Sequence, residues 1–214
     1  MGDVKKLMIA LAGKPNAGKS SLFNQLTGLN QKIGNFPGVT VDKRTGQTLL
    51  DENTVAEILD LPGIYSLYPR TLDEKIVVEV FTDKNGPHYP DQVVLVADAT
   101  NLKNCMLLLT QLIDLGLPVV LALNMIDLAA KSGLSIDIKK LSTLLDVPVV
   151  LINARNGQGI EELKKIVAKP FKPSQKKIFP ISEEVKPIVT LVKEHFNLAS
   201  DRSEEHTSEL QSPC

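Results

Sequence analysis

Tryptophan is absent from the chain, and cysteine is nearly so, with Cys105 and Cys214 the only two in 214 residues. Two cysteines build no disulfide framework, and Cys105 falls inside an apolar helical pattern, so a reducing compartment suits the chain. Charge of one sign is lacking too. Twenty-four Lys and Arg stand against twenty-five Asp and Glu, a net charge of −1, which leaves no bulk field to draw nucleic acid or an anionic membrane. No apolar run is long enough to cross a bilayer and no signal peptide is visible, so the expectation is a soluble, intracellular chain. What is present is 43% hydrophobic and 23% charged residues, enough to bury a core as one domain with an appendage.

The most informative stretch is Gly13-Lys14-Pro15-Asn16-Ala17-Gly18-Lys19-Ser20, which fits G-x-x-x-x-G-K-[ST] at every fixed position. The apolar run Leu7–Ala12 before it reads as a buried strand, and Ser21–Leu26 after it carries apolar residues at helical spacing. Strand, glycine loop and helix together make a phosphate-binding context. Gly13 and Gly18 let backbone N–H groups of the loop, Asn16 and Ala17 included, converge on phosphate oxygens, and the helix start at Ser20-Ser21 adds partial positive charge. Lys19 is placed for the β- and γ-phosphates and the Ser20 hydroxyl for Mg²⁺.

Further motifs follow in order. Residues 29–41, with two glycines and a proline, read as an irregular switch loop in which Gly38 and Val39 flank Thr40, a candidate Mg²⁺ ligand. Residues 44–50 and 55–59 read as a hairpin ending in Asp60-Leu61-Pro62-Gly63. Asp60 suits the metal's water shell, and the Gly63 N–H the γ-phosphate. Ile64 follows where many relatives carry a water-orienting glutamine. Residues 73–81, 101–115, 136–145 and 159–167 read as helices; 93–97, 119–123 and 147–152 read as strands.

The strand at 119–123 ends in Asn124-Met125-Ile126-Asp127. The Asp127 carboxylate can accept from guanine N1–H and the exocyclic amine, an arrangement that adenine does not offer. Asn124 braces the site, and the loop Asn153-Ala154 offers the Ala154 N–H to guanine O6. The nucleotide expected is GTP, on a doubly wound α/β P-loop G domain with a six-stranded, mostly parallel sheet over residues 1–169. Residues 170–198 read as a linker and one amphipathic helix carrying Val185, Ile188, Val189 and Val192. Residues 199–214 are polar and aperiodic, and are set aside from the fold.

Taken together, GKPNAGKSSLFNQLTG, GNFPGVTV, DLPGIYSL, DATNL and NMID resemble the cytosolic GTPase domain of the FeoB family of bacterial ferrous iron transport proteins, across most of residues 4–169. The resemblance implies a slow GTPase without the glutamine, located on the cytoplasmic side of the inner membrane. Its partners would be GTP, a membrane-embedded remainder and, as an option, a homo-oligomer; no nucleic acid is expected. It further implies a K⁺ ion held by the Asn16 amide oxygen and backbone carbonyls between Asn30 and Phe36. The family usually carries a serine where this chain has Asn153. The catalytic set implied is Lys19, Thr40, Gly63 and Asn16. Competing readings are a nucleotide-gated binding module, a ribosome-associated GTPase, for which a basic RNA-binding face is wanting, and an ATPase, which Asn124 and Asp127 disfavour. His88, His195 and His206 share no ligand spacing, which gives a direct iron site little support.

Overall fold

The computed structural model describes residues 5–28, 31–169 and 171–176. In chain order these form β1 (Lys5–Ala12), α1 (Lys19–Thr27), β2 (Gln31–Asn35), β3 (Asp42–Asp51), β4 (Thr54–Asp60), α2 (Leu72–Thr82), β5 (Gln92–Asp98), α3 (Lys103–Asp114), β6 (Val119–Asn124), α4 (Ile126–Lys131), α5 (Ile138–Leu145), β7 (Val149–Leu151) and α6 (Ile160–Val167). The strands make one sheet in the order β2-β3-β4-β1-β5-β6-β7. β2 and β4 each run antiparallel to β3, and every other pairing is parallel.

The central strands are apolar on both alternating faces because helices cover both. On one face Ile9, Leu11, Val94 and Val96 pack with Leu22 and Phe23 of α1 and Leu163 of α6. On the other, Ala10, Ala12, Val93 and Leu95 pack with Val77 and Phe81 of α2 and Leu108 and Leu112 of α3. The carboxyl ends of β1, β4, β6 and β7 therefore open onto one edge, where the loops carrying the motifs gather.

The sheet has seven strands, not six. The extra one, β2, lies in the segment expected to be irregular, and all five of its residues are exposed. With no buried face it leaves no apolar alternation to read; pairing with β3, Gln31 opposite Gly46 through Asn35 opposite Asp42, holds it. The short α4 was likewise not expected as a separate element. The expected linker helix at 181–198, the tail beyond it, Asn30, His195 and His206 lie outside the described residues. Part of the expected linker packs back onto the domain: Ser174 Oγ donates to the Leu145 carbonyl at 3.4 Å, and Lys176 Nζ to that of Thr143 at 3.3 Å.

Ile64 is fully buried, in the same cluster as Leu61 and Val77, and its N–H donates to the Gly13 carbonyl at 3.1 Å. Its side chain is a core residue that anchors the loop after β4. Ile64→Ala is expected to cost about 2–5 kcal/mol of stability, read as a lower urea midpoint, so any rate measured on that variant needs its folded fraction alongside.

Candidate functional site

The loop between β1 and α1 is built around backbone conformations that side chains resist. Gly18 has φ of 94°, and a Cβ there would strike the Asn124 amide nitrogen, so the phosphate loop and the end of β6 meet at van der Waals contact through this glycine. α1 has Gly18 at its N-cap, no side-chain cap and no acidic residue in its first turn, which leaves its first N–H groups free for an anion.

Lys19 is buried, and its ammonium donates to the Gly13 and Lys14 carbonyls at 3.2 and 3.1 Å. Burial lowers its pKa, and nearby Asp60 acts to raise it. Ser20 Oγ donates to Asp60 Oδ2 at 3.1 Å, while Asp60 Oδ1 is buried with no hydrogen-bond partner. Burial pushes the Asp60 carboxyl upward, against the Ser20 hydroxyl, Lys19 and Arg44, which all pull it down. A hydroxyl beside a carboxylate with one unsatisfied oxygen fits a hard divalent cation such as Mg²⁺.

The raised Asp60 pKa has a stability consequence. Because the folded carboxyl keeps its proton to higher pH than the unfolded one, stability falls as pH rises from the ordinary carboxylate range through that raised value. Asp60→Asn removes this dependence. In metal-free buffer near neutral pH the variant is expected to be more stable, on the order of 1 kcal/mol, and to lose most of any stabilisation that the parent gains from added Mg²⁺ and nucleotide. Urea denaturation with and without Mg²⁺ checks both.

A cavity of about 340 Å³ lies over this edge, within the range of small-ligand sites. Asn16, Gly18, Lys19, Ser20 and Ser21 line one side of it; Asn124, Met125, Asp127, Asn153 and Ala154 line the other. Asp127 is exposed in the first turn of α4. Two more residues line the cavity that the motifs did not single out, Leu128 and Arg155. Their only sequence signal is adjacency to Asp127 and Ala154.

Asn124 joins the two sides. It is buried, its Nδ2 donates to the Ala17 carbonyl at 2.9 Å, and its Oδ1 accepts from the Ala154 N–H at 3.0 Å. The Ala154 N–H expected at guanine O6 is thus engaged by Asn124 in this structure. Asn153 is buried, and its Oδ1 accepts from the Arg155 N–H at 3.0 Å, a local turn that shapes the loop.

Gly13 and Ala17 lie in the phosphate loop and do not line the cavity. Gly63 packs against the same loop, and a Cβ there would come within 2.6 Å of the Pro15 nitrogen. The second expected group, Gly38, Val39 and Thr40, is not brought to the cavity. Thr40 and Gly38 are exposed, and Val39 lines a different cavity with Phe36. The physical reason is the β2–β3 hairpin, which carries this turn away, with Phe36 buried as its anchor. Residues 31–35, with carbonyls expected to help complete a potassium site with Asn16, run as strand β2 and do not line the cavity that Asn16 borders.

The phosphate loop at the end of β1, the aspartate at the end of β4, the asparagine ending β6 and the aspartate after it define a P-loop G domain. The ferrous iron transport protein B family model matches residues 7–167. The chain is 39% identical over 202 residues to the Fe(2+) transporter FeoB of Leptospira biflexa, covering 94% of this chain and 29% of that protein. It is 44% identical over 165 residues to the Fe(2+) transporter FeoB of Salmonella typhimurium, covering 75% of this chain and 21% of that protein. A crystal structure of the cytosolic domain of the T. maritima FeoB iron transporter, in a GDP form, superposes with a TM-score of 0.83 at 36% identity over 92% of this chain and 77% of that one. The chain belongs to the ferrous iron transport protein B family, as its N-terminal G domain, and spans less than a third of the length of these curated relatives. Among the described residues no helix is long and apolar enough to cross a membrane.

Proposed function

We propose that the chain binds GTP in the 340 Å³ cavity and hydrolyses it slowly, as the cytoplasmic part of a bacterial inner-membrane transporter whose ferrous iron uptake it gates or regulates. The observation that carries this reading is the Asn124 side chain, which ties the phosphate loop to the base loop by two hydrogen bonds and so sets a fixed span between a triphosphate site and a base site. The GDP form of the T. maritima relative supports the guanine assignment.

Lys19 and the amides at the start of α1 hold the β- and γ-phosphates, and release from its two carbonyl contacts frees the Lys19 ammonium to do so. Ser20 and Asp60 would hold Mg²⁺, with Thr40 joining them once its turn moves inward. When bound, the ion neutralises charge on the β- and γ-phosphate oxygens. The Gly63 N–H steadies the γ-phosphate. Water attacks in line, and catalysis rests on positioning and fixed charge. Ile64 is buried and takes no part in orienting that water; backbone groups near Val39 and Thr40 are assigned this role. Asp127 reads the base, with Met125 and Asn153 beside it.

For potassium, Asn16 lines the cavity while residues 31–35, in strand β2, do not, and no step is assigned to the ion. Single-turnover cleavage of GTP and ATP with Mg²⁺, in potassium and in sodium salts, tests the reading. GTP cleavage without ATP cleavage is expected. Tight GTP binding with no cleavage in either salt would favour the second reading, a pure nucleotide switch, which the buried Ile64 and the outlying Thr40 also suit.

A further inference from the structure

The turn Phe36-Pro37-Gly38-Val39 that carries Thr40 is seated in a second cavity, of about 250 Å³, between the β2–β3 connection and the end of α2. Phe36 is its anchor. The ring is buried, its N–H donates to the Val41 carbonyl at 3.0 Å, and its carbonyl accepts from the Val39 N–H at 3.3 Å. Across the cavity, His88 meets Phe36 edge to face, with ring centroids 5.8 Å apart and planes at 83°, a favourable aromatic geometry. His88 Nε2 lies 3.2 Å from Lys43 Nζ on β3. An ammonium has no lone pair to offer, so Lys43 donates, Nε2 accepts, and the neutral ring carries its proton on Nδ1, which is buried without a hydrogen-bond partner.

We infer that His88 is a positioning residue for this turn: fixed by Lys43 and packed edge-on against Phe36, it keeps the anchor seated and Thr40 away from the triphosphate site. The inference rests on the reading of Thr40 as a residue that must travel to the metal side of the nucleotide. Phe36 and Val39 line the second cavity and not the first, so the turn they bracket reaches the first only if that seat is loosened.

The same contact makes the seat sensitive to acid. A protonated His88 would have no acceptor for Lys43 and would place two cations side by side. Burial first, and Lys43 next, lower the His88 pKa, while Glu57 of β4 and the Pro87 carbonyl act to raise it. Glu79 of α2, Asp83 at its end and Tyr89 line the same cavity. His88 is therefore neutral at pH 7, and protonation on acidification below the ordinary histidine range unseats Phe36.

The absence of tryptophan supplies the probe, since Phe36→Trp places the sole tryptophan, excited selectively at the red edge beyond tyrosine absorption, in a seat that borders open cavity. In the nucleotide-free chain its emission maximum is expected to shift to longer wavelength as pH falls from 7.5 to 5.5. In His88→Gln on that background, the long-wavelength position holds at every pH, and the affinity for a non-hydrolysable GTP analogue rises relative to GDP by about fivefold. Lys43→Met, which keeps the ring and removes only its donor, should move the emission transition to higher pH, a response that simple loss of packing would not give. An emission maximum indifferent to pH, to His88→Gln and to Lys43→Met, or an analogue-to-GDP ratio unchanged in His88→Gln, overturns the inference. The pH titration uses no nucleotide, so failure of the parent chain to bind guanine nucleotides would count against the proposed function and leave the emission result to judge the seat by itself.

Discussion

Asp127→Asn is expected to lower GTP affinity by roughly 10³-fold or more, toward the ~10⁴–10⁵ that separates ligands at sites built from paired buried hydrogen bonds. Guanine presents two donors side by side, N1–H and the exocyclic amine, and a carboxylate accepts from both. An asparagine amide accepts from one and turns a donor against the other. Xanthine carries a carbonyl where guanine has its amine, so the same variant is expected to gain xanthosine nucleotide binding. Asp127 is exposed on α4 and supports nothing in the core, so its thermal midpoint should stay near that of the parent. Titration calorimetry with both nucleotides checks the pair of changes. GTP affinity within tenfold of the parent would remove Asp127 from the base site.

Asn124→Ala should fail differently, losing stability and binding together. The truncation leaves the Ala17 carbonyl and the Ala154 N–H without partners in a buried setting, at about 1–3 kcal/mol for each unsatisfied group. For a domain of this size that corresponds to a fall in Tm of about 5–20 °C. It also severs the link that fixes the distance between the phosphate and base sites, so nucleotide affinity should drop by at least ~10²-fold even where the chain is folded. Scanning calorimetry with and without GDP separates the two effects. A variant that kept its Tm and still bound GDP tightly would show that Asn124 braces nothing.

Much of this site is legible in the sequence because its parts carry mechanism in their residue types. A glycine loop between a strand and a helix, an aspartate ending β4 and an asparagine ending β6 fall at the carboxyl edge of a sheet that strand-helix alternation already announces. Asn124, which the sequence offers as a brace, makes two hydrogen bonds, to the Ala17 carbonyl and from the Ala154 N–H. What was illegible lacks a buried face. β2 is exposed along its whole length, so its pairing with β3 is a tertiary fact without an apolar pattern. α4 is six residues long and starts from Met125 in the left-handed region, with φ of 63°. The position of Thr40 depends on where Phe36 is anchored, and its neighbours there, α2 and His88, are far along the chain and invisible to any local motif. Leu128 and Arg155 reach the cavity only as neighbours of motif residues.

One measurement reaches the core of the account: titration of the chain with Mg²⁺ and, in turn, GDP, GTP and ATP. Saturable heats are expected with both guanine nucleotides, abolished by Lys19→Ala, and none with ATP at the same concentrations. Equal affinity for ATP, or no binding of either guanine nucleotide by folded protein, would contradict it.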